Sequence, residues 1–418
     1  MPAVYRPPSA RREARNVAGV SRIVAAAPAL PEHSYAQEEI TDALVPMLTR
    51  DPQHAAMMRR LHSSSEVGTR HLVMPLDQYG GLDSFQRSND LFISAGGDLA
   101  ARAIQDALAR AGLKPTDVDF LLFTSVTGIA APSLDARLVA RLGMRTDVKR
   151  LPSFGLGCVA GAAGLARVHD YLKGHPNDVA LLVSVELCSL TVQRGDESIA
   201  NLVASGLFGD GAAAVVVVGD ARADALATTG PQMVDTRSRL YPETEDVLGW
   251  DIGGTGFRIV LSAGVPSVIE QNFAADAVGL LSAHGLDVED VGTWIAHPGG
   301  PKVLEAFAVA LELGRADLAP SWRSLARVGN LSSASVLHVL ADTMADGVAP
   351  GSVGMLFALG PGVAAELVLL RWPQDAGVGG AIDADGAASA DATGASATGA
   401  SATGAGAAQI GALGSVTG

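Results

Sequence analysis

The stretch Phe154-Gly-Leu-Gly-Cys158-Val-Ala-Gly-Ala-Ala-Gly164 sets one cysteine between a tight glycine turn and the opening of a helix. Residues 148–154 before it read as a strand, 159–173 after it as a helix, and 178–186 (DVALLVSVE) as the next strand. A run this apolar, bounded by polar residues, fits a strand buried on both faces. Strand, turn, helix and strand make a βαβ unit, which places the chain among the α/β proteins. The turn has its own electrostatics. A thiol of pKa about 8.5 is mostly protonated at neutral pH, and a helix N-terminus favours its thiolate, often with an imidazolium beside it. Glycines let the backbone bend and a substrate come close. The same residues read equally well as a small buried cysteine packed like an alanine.

Working outward, residues 119–125 (DFLLFTS) form a second buried strand, and 133–143 and 90–112 form amphipathic helices. Residues 23–31 open the fold as a strand and turn, 36–61 read as helix, and 62–88 as loop. Residues 207–218 (LFGDGAAAVVVV) are a glycine turn running into a strand. A comparable series begins at 228. It holds a helix at 264–285, a strand at 293–297 (TWIAH), a helix at 301–313, and a helix at 335–346. Strands at 352–359 and 364–371 follow, joined by Gly360-Pro361-Gly362. The order predicts a parallel-rich, doubly wound sheet in two halves, 20–227 and 228–372. Residues 1–19 carry arginines without the apolar core of a secretory signal and read as a disordered basic leader. Residues 373–418, rich in Gly, Ala, Ser and Thr, read as a flexible tail outside the fold.

Composition narrows the function. The chain has 418 residues, 48% hydrophobic and 18% charged, which is ample for a large core. A net charge of −14 argues against nucleic acid as partner. Two cysteines, Cys158 and Cys188, do not make a disulfide framework and suit a reducing, cytoplasmic location. No apolar run reaches the roughly 18 residues of a membrane span.

Three residue types bear on the thiol. Cys158 as a nucleophile needs a base and groups that stabilise an oxyanion. His297 ends a strand just before the rigid turn His297-Pro-Gly-Gly-Pro301, and strand ends of α/β sheets gather sites. It also reads as a turn histidine without a role. Asn330, at a helix start, reads as an N-cap or as an amide donor aimed at a thioester oxygen.

Five motifs in order now matter together: Gly157-Cys158 with Ala160-Gly161; Leu207-Phe208-Gly-Asp-Gly-Ala212; His297-Pro-Gly-Gly-Pro301; Gly329-Asn330-Leu-Ser-Ser-Ala334; and Gly360-Pro361-Gly362. Across residues 20–372 this order resembles the type III polyketide synthases, the chalcone/stilbene synthase family. The resemblance implies a thiolase-like α/β fold of two duplicated βαβαβ-type halves in an αβαβα arrangement, and a homodimer. It implies that Cys158 carries the acyl chain, that His297 keeps it as thiolate, and that His297 and Asn330 hold the thioester and enolate oxygens. Phe208 matches a gatekeeping phenylalanine, and Phe257 a second one. No metal or other cofactor is implied; the substrates would be acyl-CoA and malonyl-CoA. Arg60, adjoined by Arg59, and Lys302 would meet CoA phosphates, and each also reads as plain surface charge.

Substrate size is read from small side chains. Thr127, Ala131, Cys188 and Thr191 fall in the family's cavity-lining region, and Gly360-Pro361-Gly362 keeps its turn without the aromatic residue of plant members. This pattern resembles actinobacterial enzymes that make alkyl-α-pyrones from long-chain acyl-CoA. Each buried methylene contributes about 0.8 kcal/mol in an apolar tunnel. The expectation is a fatty acyl starter on Cys158, two or three malonyl extensions, and closure to an alkyl-α-pyrone or alkylresorcinol. Two readings stay open: a single condensation like that of β-ketoacyl-carrier-protein synthase III, and an inactive partner subunit.

Overall fold

A computed structural model of the protein describes residues 19–374. The expected leader and tail lie outside the described residues, save Gly19, Pro373 and Gln374. Among the described residues thirteen strands run in chain order: β1 (Ser21–Ala29), β2 (His33–Ala36), β3 (Thr69–Leu72), β4 (Phe120–Thr124), β5 (Lys149–Ser153), β6 (Val179–Leu187), β7 (Asp210–Gly219), β8 (Gln232–Leu240), β9 (Leu248–Gly253), β10 (Gly256–Leu261), β11 (Val291–Ala296), β12 (Val353–Gly360) and β13 (Ala364–Arg371). Nine of them make one sheet, ordered β11-β12-β13-β8-β1-β7-β6-β4-β5.

The expected parallel-rich sheet is mixed instead. Only β4 with β5, β4 with β6, and β11 with β12 pair parallel; the other five neighbours are antiparallel. β12 and β13 are joined by Pro361–Val363, a link too short for anything but a hairpin. Their unbroken apolar runs come from helices covering both faces, and that burial is indifferent to strand direction. Strands β1 and β4–β7 precede residue 220, while β8 and β11–β13 follow residue 231. In the sheet the two groups are joined by the β1–β8 ladder, with Ser21 opposite Met233 and Arg22 opposite Gln232.

Side-chain alternation produces three apolar cores. On β6, Leu181, Val183 and Val185 face one core, shared with helix Gly97–Arg110. Ala180 and Leu182 face a second core, between the sheet and two central helices, Ala160–Gly174 and Ser335–Asp346. The third core lies between β11–β13 and helices Val265–Ser282 and Pro301–Leu311. The outer two cores each join one helix layer to strands, and the central core packs the middle helices against strands on both sides, which gives the five layers of the αβαβα arrangement of the thiolase-like fold. The central helices come from different halves. A β-carbon on Gly161 would sit 2.3 Å from Ser333 O, so glycine permits their approach and brings the cysteine turn to the Asn330 segment.

The helix expected at 36–61 is two helices, Gln37–Leu48 and Pro52–Ser63. Pro52 starts the second, and Asp51 accepts from Gln53 N at 2.8 Å as its cap. No helix among the described residues is long and apolar enough to cross a membrane.

Candidate active site

Cys158 lies in a single 3₁₀ turn, Gly157–Val159, that leads into helix Ala160–Gly174. Gly157 has φ +55°, and a β-carbon there would stand 2.5 Å from Pro361 Cδ. The Gly360-Pro361-Gly362 turn of the second half therefore backs the cysteine turn of the first. Cys158 is half-buried, and its thiol donates to Ser332 Oγ at 3.6 Å.

Ser332 joins the remaining groups. Its backbone N–H donates to Asn330 Oδ1 at 2.8 Å, and Ser335 Oγ donates to the same oxygen at 3.4 Å. These donors orient the amide, so Asn330 Nδ2 points the other way and donates to Gly299 O at 3.2 Å. Asn330 caps neither of the helical segments that follow, which begin after Leu331 and Ala334; its Oδ1 holds the turn through Ser332 N, and its Nδ2 faces the His297 loop. Gly299 N donates to His297 O at 2.9 Å, and His297 N to Phe357 O at 2.9 Å, which fixes the loop to the sheet. The His297 ring is 2% exposed, and neither ring nitrogen has a partner among the described residues. Cys158, Ser332, Asn330, Gly299 and His297 form one contiguous path.

Charge is disfavoured there. Burial pushes the Cys158 thiol up to about 12; the Ser332 bond pulls it back, and the nearby Glu186 charge pushes it further. Burial alone takes His297 down to about 3. Considered singly, both groups are neutral at pH 7. The helix terminus, which favours a Cys158 thiolate, and the desolvation of the site, which opposes it, act in opposite directions.

Glu186, near the end of β6, is wholly buried. It accepts from Val126 N at 3.1 Å, Thr127 Oγ1 at 2.9 Å, Ser125 Oγ at 3.4 Å and Ser332 Oγ at 3.2 Å, and also from Ser333 Oγ. Thr127 therefore serves this network through its hydroxyl. Neither Glu186 nor Ser332 stands out from the sequence as a site residue, because their pairing joins positions 146 apart.

A narrow cavity of about 30 Å³ lies against Phe208, Cys188, Thr191, Tyr79, Arg70 and Trp250. Phe208 is bridged through its backbone to Asn330, which ties the cavity to the site. Thr191 Oγ1 donates to Cys188 O at 2.8 Å and holds that turn. Phe257 on β10 is buried in an aromatic cluster with Phe85, Phe154 and Trp250, at centroid distances of 5.5, 6.1 and 6.2 Å. Pro361 and Gly362 line a separate open cleft with Phe154 and Trp250. Ala131 is exposed on the loop after Gly128 and lines none of these cavities, because the chain turns outward at Ile129. Arg60 and Lys302 are exposed, and Arg59 is paired with Asp42. No group of three or more His, Cys, Asp or Glu among the described residues is placed to hold a metal ion.

A family model described as chalcone and stilbene synthases, N-terminal domain, matches residues 9–221, and the model of the C-terminal domain matches 232–373. The chain belongs to the chalcone and stilbene synthase family. It is a type III polyketide synthase, an acyltransferase that uses malonyl-CoA. The 1,3,6,8-tetrahydroxynaphthalene synthase of Streptomyces peucetius subsp. caesius is 55% identical over 345 residues, covering 82% of this chain and 91% of that protein. The alpha-pyrone synthesis polyketide synthase-like Pks18 of Mycobacterium tuberculosis is 32% identical over 330 residues, covering 76% and 83%. The crystal structure of 1,3,6,8-tetrahydroxynaphthalene synthase from Streptomyces coelicolor A3(2) matches with a TM-score of 0.79 at 33% identity, covering 84% of this chain and 99% of that one. Family membership decides against the carrier-protein condensing enzyme.

Proposed function

We propose that this type III polyketide synthase builds a chain on Cys158 from malonyl-CoA with a small starter and releases a polyhydroxylated aromatic product. The observation that carries the reading is the 55% identity to a 1,3,6,8-tetrahydroxynaphthalene synthase. The narrow space of about 30 Å³ beside Phe208 and Cys188 supports it, since it offers a long alkyl chain no open tunnel there.

The chemistry follows from the neutral pair. A lone thiolate or a lone imidazolium is costly at this depth, so the two charges arise together, as the Cys158 proton passes to His297. The thiolate attacks the starter thioester, and the departing CoA sulfur takes that proton. Malonyl-CoA then loses carbon dioxide. The resulting enolate oxygen lies between Asn330 Nδ2 and His297, two donors that favour developing charge in a dry site. The enolate carbon attacks the acyl-Cys158 carbonyl, the carbon–sulfur bond breaks, and the lengthened chain on CoA reloads the cysteine. Exposed Arg60 and Lys302 receive the CoA phosphates, and the protein acts as a homodimer.

A second reading is the long-chain starter with closure to an alkyl-α-pyrone or alkylresorcinol. A groove of about 410 Å³ beyond the cavity wall favours it, as does the Pks18 relative. Mass spectrometry of products from malonyl-CoA alone, and with starters from acetyl- to stearoyl-CoA, separates the two. A product made from malonyl-CoA alone is expected, and Cys158→Ala should lower it by about 10³-fold or more. Products only from long-chain starters would overturn the first reading.

A further inference from the structure

We propose that Tyr79 is a partition that sets chain length, closing the cavity beside Phe208 off from the outer groove. The inference rests on the small-starter reading above. The cavity and the groove share four wall residues: Leu44, Tyr79, Ser189 and Val192. The space on one side is about 30 Å³ and on the other about 410 Å³. Of the four, Tyr79 is the largest, and it is pinned at both ends.

Its hydroxyl lies 2.6 Å from Ser189 Oγ. Ser189 Oγ donates to Asp210 Oδ2 at 2.6 Å, and Ser189 N donates to Asp210 Oδ1 at 2.8 Å. With its own proton committed to Asp210, Ser189 Oγ accepts from Tyr79, so the bonds run in one direction from the ring to the carboxylate. At the backbone, Tyr79 O accepts from the Arg194 guanidinium. The 3₁₀ segment Leu76–Gly81 that carries Tyr79 thus cannot swing aside without breaking both ties. Ile40, Leu44, Leu72, Leu76 and Val192 pack with Tyr79 in one apolar cluster and line the cavity together with polar Arg70, Thr191, Asn201 and Ser205. An opening on the apolar side favours an alkyl chain, which gains about fourfold in binding per buried methylene.

The test uses the full-length enzyme, malonyl-CoA, and hexanoyl- and lauroyl-CoA in competition, with products read by mass spectrometry. Tyr79→Ala should raise the lauroyl-to-hexanoyl ratio of kcat/KM by about tenfold or more. Tyr79→Leu should raise it less, and it decides the matter if the alanine variant does not fold. Tyr79→Phe keeps the ring and the Arg194 tie but loses the hydroxyl tie, and should raise the ratio less than Tyr79→Leu does. A folded Tyr79→Leu with the parent ratio overturns the partition, as does a Phe variant as permissive as Leu. Loss of stability alone lowers both rates and leaves their ratio unmoved. Turnover of malonyl-CoA alone, run in parallel, reads the small-starter proposal separately.

Discussion

Two wholly buried carboxylates sit at the same end of neighbouring strands. Glu186 is the last residue but one of β6, and Asp210 begins β7, paired with Leu187. Burial pushes both carboxyls upward, and hydrogen bonds pull both back. Their surroundings differ. Glu186 accepts from four hydroxyls and one backbone amide, and one of the hydroxyls, on Ser332, also receives the Cys158 thiol. Asp210 accepts from the backbone amides of Ser189 and Val73 and from one hydroxyl. Hydroxyls rotate and amides do not. The carboxylate linked to Cys158 through Ser332 is held adaptably, and the one bonded to Ser189 of the cavity wall is held rigidly.

That contrast gives the largest expected effect. Asp210→Ala orphans two fixed N–H groups and leaves the buried Arg70 guanidinium without its nearby negative charge, since Asp210 is what holds Arg70 up against burial. A loss of about 3 kcal/mol in unfolding free energy is expected. Glu186→Ala orphans one amide, while its hydroxyls can turn to other acceptors, for a loss of about 1–2 kcal/mol. Urea unfolding measures both. If Glu186→Ala proves the more costly, the adaptable-versus-rigid distinction fails.

How much of this was readable beforehand depends on the range of the interaction. Cys158, His297 and Asn330 stood out because each sits at a turn whose glycines, proline or asparagine mark it locally. The helices and buried strands followed from apolar periodicity, since burial imposes it directly. Strand direction did not follow, because β6 and β12 are covered on both faces whichever way they run. The roles of Ser332, Glu186, Tyr79 and Asp210 were also out of reach. Each depends on a partner more than 20 positions away: Glu186 on Ser332, Tyr79 on Ser189, Asp210 on Ser189 and Val73. At Cys158 the local helix geometry was legible, and the Ser332 and Glu186 groups that act on its thiol from distant segments were not.

A smaller effect separates the carboxylates by pH. Burial lowers His62, His169 and His338 from 6.5 to about 4 and His297 to about 3. As pH falls below 6.5 the unfolded chain takes up these protons and the folded one does not, so stability declines until the pH nears 4. Asp210 acts in the opposite direction. Its carboxyl is raised from 3.8 to about 6, so between those values the folded chain holds a proton the unfolded chain lacks. That gain grows as pH falls through 6. Asp210→Asn removes it, and between pH 7 and pH 5 this variant should lose about 1 kcal/mol more than the parent. Equal losses in urea titrations at the two pH values would show that Asp210 is not the raised group.

The smallest effect concerns the thiols. Burial holds both Cys158 and Cys188 above the ordinary thiol range, and the Glu186 charge adds to each. Alkylation of Cys158 by iodoacetamide in the substrate-free enzyme should therefore keep rising from pH 6 to pH 9, with no plateau near neutrality. Cys188, fully buried, should react more slowly at every pH. Glu186→Gln removes the charge that opposes the Cys158 thiolate while keeping an acceptor for Ser332. It should speed alkylation at pH 8 by about two- to fivefold, and Asp210→Asn, which does not touch Cys158 through Ser332, should leave the rate near the parent value. A plateau at pH 6 in the parent enzyme would mean that the thiolate and imidazolium already coexist before substrate arrives, and that the pair, not burial of each group alone, governs the resting charge.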